Sequence, residues 1–525
     1  MIKKIFKKAL ILPALLIGMS SCSEWLSLKP QDQMVLDDYW KDGSQVEAVV
    51  GSCYRAMIED ACMERMMIWG ELRSDNFVAS KNVGSKQKEL MQHNILTSNP
   101  YSQWGPMYTV INYCNTVLYY APGVMDLDAN FTEGELHAYE SEALAIRSLM
   151  YFYLVRSFRD VPLILVPSKD DTENFAVTKD SASVILKQLI SDLKTAKNYA
   201  MSDWDNARYN KGRFTKQSIR ALLADVYLWN KQYAECIHEC DEFLTNNAAL
   251  GETDMLKLVE AEYMYAEVFN RGNSSESIFE LQFDDDGKTN LAVNTVFGTN
   301  TISGWVSAPN SEGGWEFTPG STQSPYKLTD IRGKDFFQPI SGGFSKIFKY
   351  VGASRSENQS GISTYTYRTT TSNWIVYRLS DIYLMRAEAL AQSPSPADWQ
   401  DALYMVNQTY MRANPDLGLD SLKYASYSNQ ASIQQLVLDE RQREFAFEGK
   451  RWFDLVRLSE REQNTSKLSG YVLKTLTSDN TAQTLAKSKL SFMDALYLPI
   501  FQDEISANPS LKQNPFYITD ETVSK

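Results

Sequence analysis

The chain has 525 residues, and its 44% hydrophobic and 22% charged content matches an ordinary folded protein rather than a disordered one. Its formal net charge is −13, and removal of the four lysines in the first eight residues takes it to −17. That balance argues against nucleic acid, whose phosphates want a basic footprint, and against a polybasic attachment to anionic lipid.

The N-terminus has three parts in order. Lys3, Lys4, Lys7 and Lys8 are basic, residues 9–19 are apolar, and Ser20, Ser21 and Cys22 follow. The apolar stretch spans only ~16 Å at about 1.5 Å per residue, against a hydrocarbon core of ~30 Å. Residues 1–21 are therefore expected to be a cleaved export signal. A cysteine directly after small residues fits bacterial lipoprotein processing, in which the thiol receives diacylglycerol and the new amino terminus is acylated. Cys22 is the expected lipidation site, and several acyl chains at about 0.8 kcal/mol per CH₂ make a durable anchor. Met19 stands where such signals prefer Leu, with similar size and polarity. Five cysteines remain: Cys53, Cys62, Cys114, Cys236 and Cys240. An odd, sparse set is no disulfide framework, so the fold must rest on its core.

Apolar residues at three- and four-residue steps predict helices over 46–65, 103–120 and 135–158. In the last, Ala143, Ile146, Leu149, Met150, Tyr153 and Leu154 share a face, and Pro162 lies just beyond. Residues 216–229 and 233–244 predict a helical hairpin, joined by Asn230, Lys231 and Gln232. Its spacing resembles a tetratricopeptide repeat, with Leu223, Ala224, Tyr227, Tyr233, Cys236 and Cys240 in packing positions. A metal site built from Cys236, His238 and Cys240 lacks a fourth ligand, and an i,i+4 helical disulfide would be strained. Residues 276–373 are rich in Gly, Ser, Thr and Asn with scattered aromatics and no helical period, predicting loops with short strands. Long irregular stretches of this kind are often functional. Helices are expected again over 374–391, 399–412 and 432–457, and residues 495–517 are expected as extended chain on the body.

Several blocks carry a resemblance in a fixed order. Trp25-Leu26-Ser27-Leu28-Lys29-Pro30 stands near the mature start, followed by Glu71-Leu72-Arg73-Ser74-Asp75 and by Trp104-Gly105-Pro106-Met107-Tyr108 leading to Asn115. Glu142-Ala143, Arg147 and Arg159-Asp160-Val161-Pro162-Leu163 come next, then Tyr377-Arg378-Leu379-Ser380-Asp381 with Arg386-Ala387-Glu388-Ala389. The strongest block opens at Glu440-Arg441 and continues through Glu444-Phe445-Ala446-Phe447-Glu448-Gly449-Lys450-Arg451-Trp452-Phe453-Asp454 to Arg457. Leu498-Pro499-Ile500 and Asn514-Pro515-Phe516-Tyr517 close the series. Together the blocks resemble the RagB/SusD family of nutrient-binding outer-membrane lipoproteins over essentially the whole mature chain. The resemblance implies a mainly α fold of four tetratricopeptide-like hairpins with an irregular loop-and-short-strand ligand face. On that reading residues 22–525 form one SusD-like domain: 22–245 with the first hairpins, 246–373 as a loop-rich ligand-face insertion, and 374–525 as the C-terminal helical part. It also implies a SusC-like TonB-dependent barrel as partner, closed by this protein as a lid, at the cell surface.

The chemistry of the residues favours binding over catalysis. Glu440, Glu444 and Glu448 are spaced i, i+4, i+8, which places all three on one helical face, and paired carboxylates can hydrolyse glycosides. Arg441, Arg443, Lys450 and Arg451 are interleaved with them, so ion pairing is the better reading. His93, His137 and His238 sit far apart, and no nucleophile elbow or phosphate-cradling loop is present in the sequence. No cofactor is expected. The Asp284-Asp285-Asp286-Gly287 run is a weak Ca²⁺ candidate that lacks the calcium-loop spacing. Sugars offer apolar faces to aromatic rings and hydroxyl edges to carboxylates and amides. Asp75 and Tyr101 in one segment, and Trp305 and Trp315 in the other, are the candidate ligand-binding residues; the family builds its glycan face from these two stretches. The expected function is capture of an oligosaccharide for the transporter, with an oligopeptide-binding RagB-like lid as the alternative. A surface glycosidase and a purely protein-binding scaffold are more distant readings.

Overall fold

Helices begin where the sequence offers an oxygen to otherwise unpaired N–H groups. Asp42 with Gln45, Thr132 with Glu135, Thr215 with Ser218, and Asn429 with Ser432 each form a reciprocal capping box. The computed structural model describes residues 39–168, 176–251, 255–299, 301–309, 324–327, 329–339, 345–368, 371–415, 421–476 and 478–518. The signal sequence, Cys22 and Trp315 lie outside the described residues.

In chain order, α1 (Gly43–Met57) and α2 (Asp60–Glu71) lead to β1 (Val78–Ala79) and α3 (Ser85–Met91). Next come α4 (Gly105–Val124), α5 (Glu133–Phe158), α6 (Ala182–Tyr199), the single turn α7 (Tyr209–Gly212), α8 (Lys216–Trp229) and α9 (Tyr233–Ala248). The middle of the chain holds β2 (Ser277–Leu281), α10 (Leu291–Phe297), β3 (Val306–Ser307), α11 (Ile331–Asp335), β4 (Phe337–Pro339), β5 (Ser345–Ile347), β6 (Gly352–Glu357), β7 (Ser363–Tyr367) and β8 (Trp374–Arg378). Helices return with α12 (Leu379–Leu390), α13 (Pro396–Ala413), α14 (Gln430–Phe445), α15 (Arg451–Glu462), α16 (Ser466–Val472), α17 (Asn480–Lys489) and α18 (Gln502–Ala507).

The long helices form a continuous array in which each packs on the next: α4, α5, α6, α8, α9, α12, α13 and α14. Helix α9 packs on α12 although 130 residues of sequence separate Ala248 from Leu379, so the loop-rich segment is an excursion from an unbroken helical stack. The mainly α, hairpin-built reading of the sequence holds. Cys236 and Cys240 are fully buried in α9, as packing residues should be. Among the described residues the strands pair two by two, β1–β3, β2–β8, β4–β5 and β6–β7, all antiparallel, with β1 preceding the excursion and the other seven strands inside it.

Three boundaries differ from the sequence expectations. The helix expected over 46–65 is broken at Ile58–Glu59, where the extended backbone of Glu59 turns the chain into α2. Residues Trp374–Arg378 are a strand rather than the start of a helix; every one is buried against β2, so no alternation marks it. The helix expected over 432–457 stops at Phe445 and restarts at Arg451, with Phe447 and Gly449 at φ 71° and 72° between them. The chain end is likewise more structured than extended, with α18 inside it, and Leu498 N–H donating to Ser157 O at 2.8 Å.

Most of the described excursion aromatics are core. Phe283, Phe297, Tyr326, Phe336, Phe337 and Tyr350 are buried, and Phe447 sits among Phe77, Phe297 and Phe337 with ring centroids 5.3, 6.3 and 5.5 Å away.

Candidate functional site

The acidic block is the first place to look for chemistry, and its groups are spent. Arg378 donates to Glu276 (3.0 Å), Glu444 (2.6 Å) and both oxygens of Glu448 (2.8 and 3.1 Å). Arg332 joins Asp330, Glu440 (2.9 Å) and Glu444 (2.8 Å), and Lys349 adds a 2.7 Å bond to Glu448. Glu276, Glu440, Glu444 and Glu448 are all buried. Burial opposes their ionisation, but Arg378, Lys349 and Lys450 outweigh it at Glu448 and hold its carboxyl at about 2. Glu444 is held well below the usual range against the same burial by Arg412, Arg378 and Arg332. Carboxylates held ionised by fixed cations and closed to water are not proton donors for a glycosidic oxygen.

Asp75 belongs with this interior, which corrects its reading as a ligand residue. It is 0% exposed, and Arg451 grips it with two bonds of 2.8 and 3.0 Å while Gln442 donates to it at 2.9 Å. The whole Glu71–Asp75 block is a stitch between the two ends of the chain. Glu71 accepts from the backbone N–H groups of Phe447 (3.0 Å), Lys450 (2.9 Å) and Arg451 (3.3 Å), closing the α14–α15 break. Arg73 donates to the carbonyls of Leu496 and Ala495, both at 2.7 Å. Gly70 and Gly449 touch here: a Cβ on Gly70 would lie 1.7 Å from Gly449 O, and one on Gly449 would meet Met66 O and the Trp374 ring at 3.1 Å.

Tyr101 and Trp305, 204 residues apart in sequence, are brought together. Strands β1 and β3 pair Val78 with Ser307 and Ala79 with Val306, so the segment after Phe77 lies against the segment containing Trp305. Ser80 N–H donates to Trp305 O at 2.9 Å, and the Asn82 amide donates to Ser303 O at 3.0 Å. Tyr101 and Trp305 meet edge to face with ring centroids 6.0 Å apart and planes at 65°. Both rings are half-buried, and Lys81, Asn82, Ile302 and Ser303 beside them are exposed.

Residues with no motif hold this pair. Trp69 Nε1–H donates to Tyr101 O at 2.7 Å, and Arg65 binds the flanking carbonyls of Pro100 (3.0 Å) and Gln103 (2.6 Å). Asn99 caps the turn by accepting from Tyr101 N–H at 3.0 Å, and Gln87 donates to the Tyr101 hydroxyl at 2.6 Å. Burial first, and then the Glu64 carboxylate, push that phenol up to about 12, so it keeps its proton at any physiological pH. Among the described residues neither the Tyr101 O–H nor the Trp305 indole N–H finds an acceptor. The arrangement therefore offers two rigid rings and two unspent donors to a surface ligand. Sequence reasoning missed Trp69, Arg65 and Gln87 because they act on backbone carbonyls and one hydroxyl that only the tertiary fold brings near.

The calcium candidate is a turn: Asp284 accepts from Arg208 at 2.7 Å and from the Gly287 N–H at 2.5 Å. Among the described residues no group of three or more His, Cys, Asp or Glu side chains is placed to hold a metal ion.

Two family models match the chain. One, described as starch-binding and associating with the outer membrane, covers residues 24–228, and the other, described as the SusD family, covers residues 346–517. SusD-like protein P38 of Formosa agariphila is 24% identical over 541 residues, covering 98% of this chain and 100% of that one. A SusD-like protein of Bacteroides ovatus is 23% identical over 491 residues, covering 86% of this chain and 82% of its own. Among solved structures, a SusD homolog from Bacteroides thetaiotaomicron superposes with a TM-score of 0.70 at 19% identity, over 92% of this chain and 100% of that one. A laminarin-binding SusD-like protein gives a TM-score of 0.66 at 21% identity, over 91% and 100%. The mainly helical fold with its few short strands and the order of the sequence blocks agree with these matches: the chain is a member of the SusD-like family.

Proposed function

We propose that the protein is a noncatalytic glycan-binding lipoprotein that captures an oligosaccharide on the Tyr101–Trp305 edge and passes it to a SusC-like TonB-dependent transporter. The observation that carries the reading is the pair itself: two half-exposed rings at 65°, each with an unspent donor, fixed by β1–β3 pairing. A sugar ring lays its C–H face on an aromatic ring while its hydroxyls accept from the Tyr O–H, the Trp N–H and the Asn82 and Lys81 side chains alongside. Little reorganisation is needed on binding, because Trp69, Arg65, Asn99 and Gln87 already fix the Tyr101 loop. Support comes also from the laminarin-binding neighbour of like fold and from the family description as starch-binding. Trp315 joins the proposal as a residue of the same sequence stretch as Trp305.

Attachment in this reading is through acylated Cys22 in the outer membrane, with the folded part at the cell surface. No helix among the described residues is long and apolar enough to cross a membrane. No bond is broken, since the acids that could act are ion-paired inside, and no cofactor is required.

Affinity electrophoresis through a panel of soluble polysaccharides tests the reading. At least one polysaccharide is expected to retard the protein, with retardation lost in Trp305→Ala and weakened in Tyr101→Ala, and with no release of reducing sugar. Absence of retardation together with capture of extended peptides would replace the glycan by an oligopeptide. Co-purification of a large barrel from outer membranes, abolished with metabolic lipid labelling by Cys22→Ala, checks the partner and the anchor.

A further inference from the structure

The stretches that build the Tyr101–Trp305 edge have a charge balance opposite to that of the chain. The chain as a whole holds 65 acidic and 52 basic residues. Residues 76–88, 94–103 and 301–309, which carry or flank the two rings, contain Lys81, Lys86 and Lys88 and no aspartate or glutamate. Ser80 N–H donates to Trp305 O and the Asn82 amide donates to Ser303 O. Lys81, exposed between these two anchors, therefore stands beside the Trp305 segment. Lys86 and Lys88 stand on either side of Gln87, the donor to the Tyr101 hydroxyl.

The acids next to these stretches are already engaged. Asp75 is buried against Arg451, and Glu89 pairs with Lys86 at 2.9 Å. Glu64 acts on the Tyr101 hydroxyl, and Arg65 beside it acts in the opposite sense. Lys81 and Lys88 are exposed, and neither has a carboxylate within ion-pair distance among the described residues. The Tyr101 O–H, the Trp305 indole N–H and these two ammonium groups are all donors, whereas an ionised carboxylate or sulfate group offers acceptor oxygens only. Local positive charge on a chain of net charge −13 also counters the repulsion that the rest of the surface sets against a polyanion.

Resting on the reading of this edge as the glycan site, we propose that its ligand is an anionic glycan, whose sugar rings stack on Tyr101 and Trp305 while carboxylate or sulfate groups meet Lys81 and Lys88. A neutral glucan such as starch or laminarin suits the rings but leaves both charges unused.

Isothermal titration calorimetry of the mature chain with oligogalacturonate, a carrageenan oligosaccharide, maltoheptaose and laminarihexaose tests it, the first two separating carboxylate from sulfate. At least one of the anionic ligands is expected to bind about tenfold more tightly than either neutral one in low salt, from two exposed charge contacts at roughly threefold each. Raising the salt from about 0.05 M to about 0.5 M is expected to remove most of that preference, because screening shortens the reach of exposed charges. Lys81→Gln combined with Lys88→Gln is expected to lower the anionic-to-neutral affinity ratio about tenfold, and the paired Arg replacements to restore it, with the melting temperature unmoved at these exposed positions. Neutral ligands that bind as tightly as the anionic ones, or a ratio that the paired Gln replacements leave unmoved, would overturn the anionic assignment and leave glycan capture standing. Binding of neither anionic ligand would overturn it as well; only loss of retardation by every polysaccharide reaches the capture reading itself. Anionic binding that survives Trp305→Ala would place the ligand elsewhere and overturn both.

Discussion

The block from Glu440 to Arg457 and the Tyr101–Trp305 pair invert what their sequences suggest. The block concentrates acids, cations and aromatics, yet each of its three glutamates is buried against fixed cations. The pair is two ordinary residues 204 positions apart in low-motif segments, yet it keeps two polar hydrogens unspent at the surface. A dense charge motif marks where distant parts of this chain are locked together. The ligand edge is marked by capacity left over after the locking is done.

That contrast breaks most easily at Arg378. Arg378→Met leaves Glu276, Glu444 and Glu448 without their shared cation, and a loss of about 5 kcal/mol in unfolding free energy is expected by denaturant titration, the upper end for a broken buried pair. Gly70→Ala forces a methyl group into Gly449 O and is expected to cost about 3 kcal/mol, read the same way. Acid sharpens the comparison without mutation. Glu448 has its pKa lowered from 4.5 to about 2, so its contribution is complete above pH 4.5 and is lost as pH falls through that value toward 2. Glu71 runs the other way, raised by burial to about 7, and is protonated in both states below pH 4.5, so it leaves that window untouched. A fall on the order of 3 kcal/mol across pH 4.5 to 2 is expected from Glu448. Trp305→Ala is the smallest change to the fold, under about 1 kcal/mol, but is expected to cost about 2 kcal/mol in glycan binding, roughly thirtyfold.

Much of the helical array was legible. The ranges 135–158, 216–229 and 399–412 carry strong 3.6-residue periods, and α5, α8 and α13 lie over them. Residues 374–378 were not legible as strand, because a strand buried on both faces has no alternation to display. The break after Phe445 was hidden for another reason. It is held by Glu71, 376 residues away, and the local sign, Gly449, suits a helix end without placing the stop at Phe445. The same distance effect separated the site residues. Tyr101 and Trp305 were found as aromatics in polar loops, and β1–β3 pairing explains their meeting. Asp75 reads as a ligand carboxylate in the sequence because its partner Arg451 lies 376 residues away, in a block with acids of its own.

Hydrogen-exchange footprinting with the polysaccharide that retards the protein tests the central claim most directly. Slowed exchange is expected in peptides covering 78–82, 99–103 and 302–307, with no change across 440–457. Protection confined to the 440–457 block, or absent from both 99–103 and 302–307, would contradict it.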